Sequence, residues 1–218
     1  WRSGGGRFVA RFGSGCGESG PGPHGEQNID VCIDQLERLI EREKLQRPIL
    51  LGHRGGAAVA HIAARRLRDK VAGAVIVSGM GPVQKLGQLS ALKDYHWGMA
   101  VATTYCPKVL PLVTKLWRRS IRKNGPMMLM RQKSRWGRKD KNLVNDPHLA
   151  SLLQASHNLS LCQDNVGLMA DFHWIVNDWR RHIDGHSAPV VYLHGDDDQV
   201  ASVERLQRTM AGRSNVQV

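Results

Sequence analysis

Apolar positions along the chain change period several times, and each change marks an element. From Glu26, Ile29, Ile33, Leu36 and Ile40 recur on one helical stripe while Glu37, Glu41 and Arg42 fall outside it, which predicts an amphipathic helix ending near Lys44. Pro48 then introduces Ile49-Leu50-Leu51, a short unbroken apolar run of the kind buried on both faces of a parallel sheet. Ala57 to Arg68 is Ala-rich with Arg65, Arg66 and Arg68 gathered at its end, as in a helix packed on a sheet with cations at its negative pole. Ala72 to Ser78 and Pro189 to His194 repeat the buried-strand pattern, and a helix is predicted from about Ser202 to Met210. Near the start, Arg7-Phe8-Val9-Ala10-Arg11-Phe12 alternates like a short strand, and the glycine-rich Gly13 to Pro21 reads as a tight loop. Strand and helix in alternation predict an α/β fold with a mostly parallel sheet.

Between Gly81 and Ser187 the strand patterns stop and helical, Trp-bearing sequence takes over, which predicts a lid. The expected organisation is a core in residues 1–80, a helical insertion in 81–187 and the rest of the core in 188–218. The chain carries 31 Lys and Arg against 19 Asp and Glu, a net charge of +12, and the insertion holds 16 basic and 7 acidic residues, so +9 of the total resides there. From Lys108 to Lys141 the basic residues alternate with Trp117, Trp136 and a Met127-Met128-Leu129-Met130 run. Two readings stand. Leu112, Val113, Leu116, Trp117 and Ile121 cover a pocket while Lys115, Arg118, Arg119, Arg122 and Lys123 face water, or the run meets an anionic surface. The first is favoured, and nucleic acid is not the expected partner.

Composition narrows the classes further. With 41% hydrophobic and 23% charged residues the chain has a globular profile, and no apolar run reaches the roughly 18 residues of a bilayer crossing. Cys16, Cys32, Cys106 and Cys162 form no C-x-x-C pair and no ligand spacing with His, so reduced thiols in a cytoplasmic protein without metal or other cofactor are expected. The chain opens on Trp1 with no Met before Met80, which suggests a fragment.

One turn carries candidate chemistry. Gly52-His53-Arg54-Gly55-Gly56 lies between a predicted buried strand and the Ala-rich helix, where a strained strand-to-helix turn requires small neighbours around its central residue, here Arg54. The stretch resembles the G-H-S-G-G nucleophile elbow of the α/β hydrolases with Arg in place of Ser. Gly15-Cys16-Gly17-Glu18-Ser19 resembles the G-x-G-x-S loop of the same superfamily, in particular its prolyl iminopeptidase and esterase-like branch, although Phe12 stands where that branch has an acid. His194-Gly195-Asp196-Asp197-Asp198-Gln199-Val200 is similar to the turn that supplies the triad acid.

The resemblance implies an α/β-hydrolase fold with helices on both faces of the sheet and an inserted helical cap, trimmed at both ends. It implies Asp198 as the triad carboxylate, the Gly55 N–H as an oxyanion donor, and Arg54 at the nucleophile position. Intact relatives would hydrolyse a small ester, amide or aminoacyl bond held under the cap, through an acyl-enzyme. No His follows His194 to complete a triad in the usual order. A guanidinium stays protonated and has no free lone pair, so it cannot attack a carbonyl. The expectation is an inactive or impaired chain, the alternative a binding protein that uses Arg54 to anchor a carboxylate or another anion, pairing with Asp198 if both reach the same pocket. His53 is expected as a hydrogen-bonding or packing neighbour of the elbow, and Asp196 and Asp197 as solvated turn residues.

Overall fold

The computed structural model describes residues 7–10, 28–83, 95–113, 115–116, 119, 123, 142, 145–160, 166–196, 198 and 201–218. Helix α1 (Ile29–Arg42) starts where the Asn28 side chain accepts the Asp30 N–H at 2.9 Å, and it buries Ile29, Ile33 and Ile40, the predicted stripe. On its outer face Glu37 and Glu41 each hold Lys70 at 2.6 Å. Strand β1 (Ile49–His53) leads into α2 (Gly56–Arg66), and β2 (Gly73–Val77) follows. Three helices of the expected insertion are described: α3 (Tyr95–Tyr105), α4 (Pro147–Ser160) and α5 (Val166–Val176). The chain then returns to the sheet with β3 (Val190–Leu193), α6 (Val203–Met210) and β4 (Val216–Gln217). Ser202 caps α6, its hydroxyl accepting the Arg205 N–H at 3.2 Å.

The sheet has the order β1-β2-β3-β4 and every pairing is parallel. Register sets Leu50 beside Ala74 and Val190, and Gly52 beside Ile76 and Tyr192. These positions face α2, and with Ile62, Ala63, Ala64, Leu206 and Trp179 they form the main core. Side chains as fully buried as Ile62 and Ile76 contribute about 1.5–3 kcal/mol each by leaving water. Of two smaller clusters, Met99, Leu110 and Phe172 pack among the helices between β2 and β3, while Met80, Val83, Ala100, Val176 and Ala201 join those helices to the segments that follow β2 and β3.

Three expectations change. Of Ile49-Leu50-Leu51 only Leu50 is buried; Ile49 and Leu51 are 67% and 60% exposed, and Leu193 on β3 is 52% exposed. The three share the face turned away from α2, because side chains alternate along a strand. Second, Arg7 to Ala10 form no strand and Phe8 is exposed: Arg7 is tied instead to the end of α1, its guanidinium bonding the Glu43 carboxylate and, at 3.0 Å, the Glu43 carbonyl. Third, Leu112 and Leu116 are exposed, and Leu110 with the partly buried Val113 packs inward in their place. The Gly15 loop, Phe12, Cys16, Cys162, Trp117, Trp136 and the Met127 to Met130 run lie outside the described residues. Cys32 is half-buried and Cys106 is exposed. Among the described residues no helix is long and apolar enough to cross a membrane, and no cluster of metal-ligating side chains occurs.

Candidate functional site

The carboxyl ends of β1, β2 and β3 converge on one edge of the sheet, where parallel α/β proteins place their ligands. β1 ends in the predicted elbow. Arg54 adopts φ +47°, the left-handed conformation that a non-glycine residue holds at a cost of about 1–3 kcal/mol. Its N–H donates to the Val77 carbonyl at 3.3 Å and its carbonyl accepts the Ala57 N–H at 3.1 Å, which joins β2 to the first turn of α2 through this residue. Small neighbours make the turn possible. A Cβ on Gly52 would stand 2.8 Å from Ala60 Cβ and 2.9 Å from the Gly56 carbonyl oxygen.

Ser78, one residue past β2, repeats the geometry with φ +46°, and its N–H donates to the Leu193 carbonyl at 2.9 Å. Because His53, Val77 and Leu193 are in register, the residues that follow them, Arg54, Ser78 and His194, form a row across three strand ends. Sequence reasoning passed over Ser78, since no local pattern announces a left-handed serine.

Asp198 lies in the turn after β3. Its N–H donates to Gly195 O at 3.1 Å and its Oδ1 accepts the Ala201 N–H at 3.0 Å, so the carboxylate closes its own turn. Arg54 and Asp198 form no direct ion pair among the described residues, contrary to the pairing considered from sequence. Their fields meet on two imidazoles instead. The His53 pKa is lowered by burial and by Arg54, against an upward pull from Asp198. That of His194 is lowered by burial, with Asp198 pulling up and Arg54 down. Both ring nitrogens of His194 are sealed from solvent and have no hydrogen-bond partner among the described residues. The predicted site residues are therefore brought together at one edge, with Arg54 itself exposed.

A further carboxyl joins them from α5. Helix α5 packs on α2 and sets Asp171 against Gly55: a Cβ on that glycine would meet Asp171 Cβ at 3.1 Å and Oδ1 at 3.4 Å. Asp171 is reached by solvent, yet the protein crowding around it raises its pKa to about 6. Nothing in the sequence singles it out, because the packing of α5 on α2 decides where it lies.

A strand that ends in a left-handed turn feeding an Ala-rich helix, an acidic turn after a later parallel strand and the helices α3 to α5 between them are the arrangement of an α/β hydrolase. Residues 12–217 match the Hydrolase_4 family, serine aminopeptidase, S33, and the chain belongs to that family. Among solved structures it is similar to an enol-lactonase from Burkholderia xenovorans LB400, with a TM-score of 0.62 and 15% identity over 94% of this chain and 68% of that one. A hydrolase from Pseudomonas aeruginosa PA01 gives a TM-score of 0.60 and 14% identity over 94% of this chain and 67% of that one. For the esterase EaEST from Exiguobacterium antarcticum the values are 0.59 and 16%, covering 94% and 69%. The chain thus spans about two thirds of the length of each. No curated protein sequence matches it.

Proposed function

We propose that this chain keeps the ligand-binding edge of a hydrolase that acts on small esters, amides or aminoacyl compounds but does not itself carry out acyl-enzyme hydrolysis. One observation carries the reading: Arg54 stands at φ +47° in an otherwise well-formed elbow. The turn that would aim a nucleophile is built, and the side chain it aims is a permanent cation. In that frame the Gly55 N–H would serve as the oxyanion donor and Asp198 as the orienting acid of a serine-bearing relative. The Asp171 carboxyl against Gly55 adds a second obstacle, since its ionised form opposes negative charge developing beside that residue. The test is an assay of the purified chain on nitrophenyl esters and aminoacyl arylamides. No turnover above the buffer rate is expected, and turnover abolished by Asp198→Ala would overturn the proposal.

A second reading rests on the exposure of Arg54 and its lack of an ion pair among the described residues. An unmatched guanidinium at the strand ends, flanked by Ser78 and His194, suits a small carboxylate. Titration with a panel of small carboxylates should then give saturable binding that Arg54→Ser weakens at least tenfold. Equal affinity in the variant would refute it.

A further inference from the structure

The segment that follows α3 presents apolar side chains to solvent. Residues 110–113, 115 and 116 are helical, and the turn before them is closed by the Val109 N–H donating to the Cys106 carbonyl at 2.9 Å. Positions three or four apart share one face of a helix. Leu110 and Val113 take the inner face and pack with Met99 and Phe172. Leu112 and Leu116 fall on the outer one, 59% and 60% exposed, and Val109 is exposed as well. A helix that only had to pack inward would carry polar residues at these outer positions.

Cations accompany the apolar face. From Lys108 to Lys123 the sequence holds six Lys and Arg and neither Asp nor Glu. Lys108, Lys115, Arg119 and Lys123 are exposed, and Arg119 and Lys123 are helical at three and seven residues beyond Leu116, which continues the outward spacing. Among the described residues from α3 to the end of α5 there are two acids, and both are engaged elsewhere. Asp146 accepts the His148 N–H at 2.8 Å in the first turn of α4, and Asp171 is set against Gly55.

We propose that this face, built on Leu112 and Leu116, docks the chain on an anionic lipid bilayer. The leucines enter the boundary between headgroups and acyl chains while the flanking cations meet the headgroup anions, as an amphipathic helix does when it lies in the interface plane. Each Lys or Arg near such a surface strengthens binding about fivefold. A second copy of the chain would set the same cations against one another, and a soluble polyanion has no apolar interior for the leucines. The surface uses none of the residues at the strand ends, so its failure and that of the proposed function are separate results.

Flotation of the 218-residue chain with vesicles tests it, at a fixed salt of about 0.15 M, where screening acts beyond about 8 Å. Binding to vesicles of equal parts phosphatidylcholine and phosphatidylglycerol is expected to be at least tenfold tighter than to phosphatidylcholine alone. Leu112→Gln with Leu116→Gln leaves every charge in place and should weaken it at least tenfold. Lys108→Gln with Lys115→Gln, an independent pair, should weaken it about 25-fold. Ile49→Gln with Leu51→Gln, which removes comparable exposed apolar surface from the sheet, should leave it unchanged. No binding to the mixed vesicles, either pair from the docking face binding as tightly as the parent, or equal weakening by the sheet pair would each overturn the proposal. Polyglutamate and a homopolymeric RNA report plain charge attraction: their binding should be insensitive to the leucine pair, and a parallel loss would assign the face to a soluble polyanion instead. Circular dichroism of the variants, which change exposed side chains only, verifies that folding is intact.

Discussion

His61 offers a prediction that the structure makes quantitative. It sits in α2 with no exposed surface, its Nδ1 2.7 Å from the Tyr192 hydroxyl and its ring 5.9 Å from that of Trp179, edge to face. Burial, with a smaller push from Arg213, lowers its pKa from 6.5 to about 4. The unfolded chain therefore takes up a proton near pH 6.5, whereas the folded chain refuses it until about pH 4. Stability from this group is complete above pH 6.5 and is lost as the pH falls through that window, by about 3 kcal/mol in all at roughly 1.4 kcal/mol per pH unit. That is a large share of the roughly 5–15 kcal/mol that holds a domain folded. Urea unfolding at pH 7.5, 6.5, 5.5 and 4.5 measures it. The comparison is with His61→Leu combined with Tyr192→Phe, which removes the titrating ring without leaving a buried hydroxyl unpaired. Every other group titrates in both proteins, so the difference between their curves isolates His61. Parallel curves from pH 7.5 to 4.5 would refute the reasoning.

Other substitutions probe the elbow. Arg54→Gly removes the left-handed strain and should raise stability by about 1 kcal/mol, read as a higher urea midpoint with an unchanged slope. Gly52→Ala drives a methyl against Ala60 and the Gly56 carbonyl and should cost about 1–3 kcal/mol, partly recovered when Ala60→Gly is added. Asp171 has a pKa raised from 3.8 to about 6, so its contribution is favourable while protonated and is lost as the pH rises through that interval. Asp171→Asn should accordingly raise the melting temperature at pH 7.5 and leave it nearly unchanged at pH 3.5; a larger gain at the lower pH would contradict the assignment.

The sequence made the elements legible where one periodic stripe settles them, as Ile29, Ile33 and Ile40 do for α1. It also made the elbow legible as a strained strand-to-helix turn centred on Arg54, because small residues flank that position on both sides. It could not reveal which strand faces are covered. An unbroken run such as Ile49-Leu50-Leu51 reports a strand but not what packs on each side. Nor could it place Asp171 or Ser78, since one is carried to the elbow by helix packing and the other owes its backbone to the neighbouring strand. Leu112 and Leu116 misled for a related reason: their spacing allows a buried face, while the cluster of Met99, Leu110 and Phe172 chose another.

The exposed apolar residues on one face of the sheet bear on how the chain behaves in solution. Ile49, Leu51 and Leu193 present apolar surface to any second molecule, while the net charge of +12 keeps molecules apart. Added salt shortens the reach of that repulsion, and an excluded salt such as sulfate also strengthens apolar contact, so both effects act in one direction. Self-association through these residues is therefore expected to rise with ionic strength and to be weakest in dilute buffer.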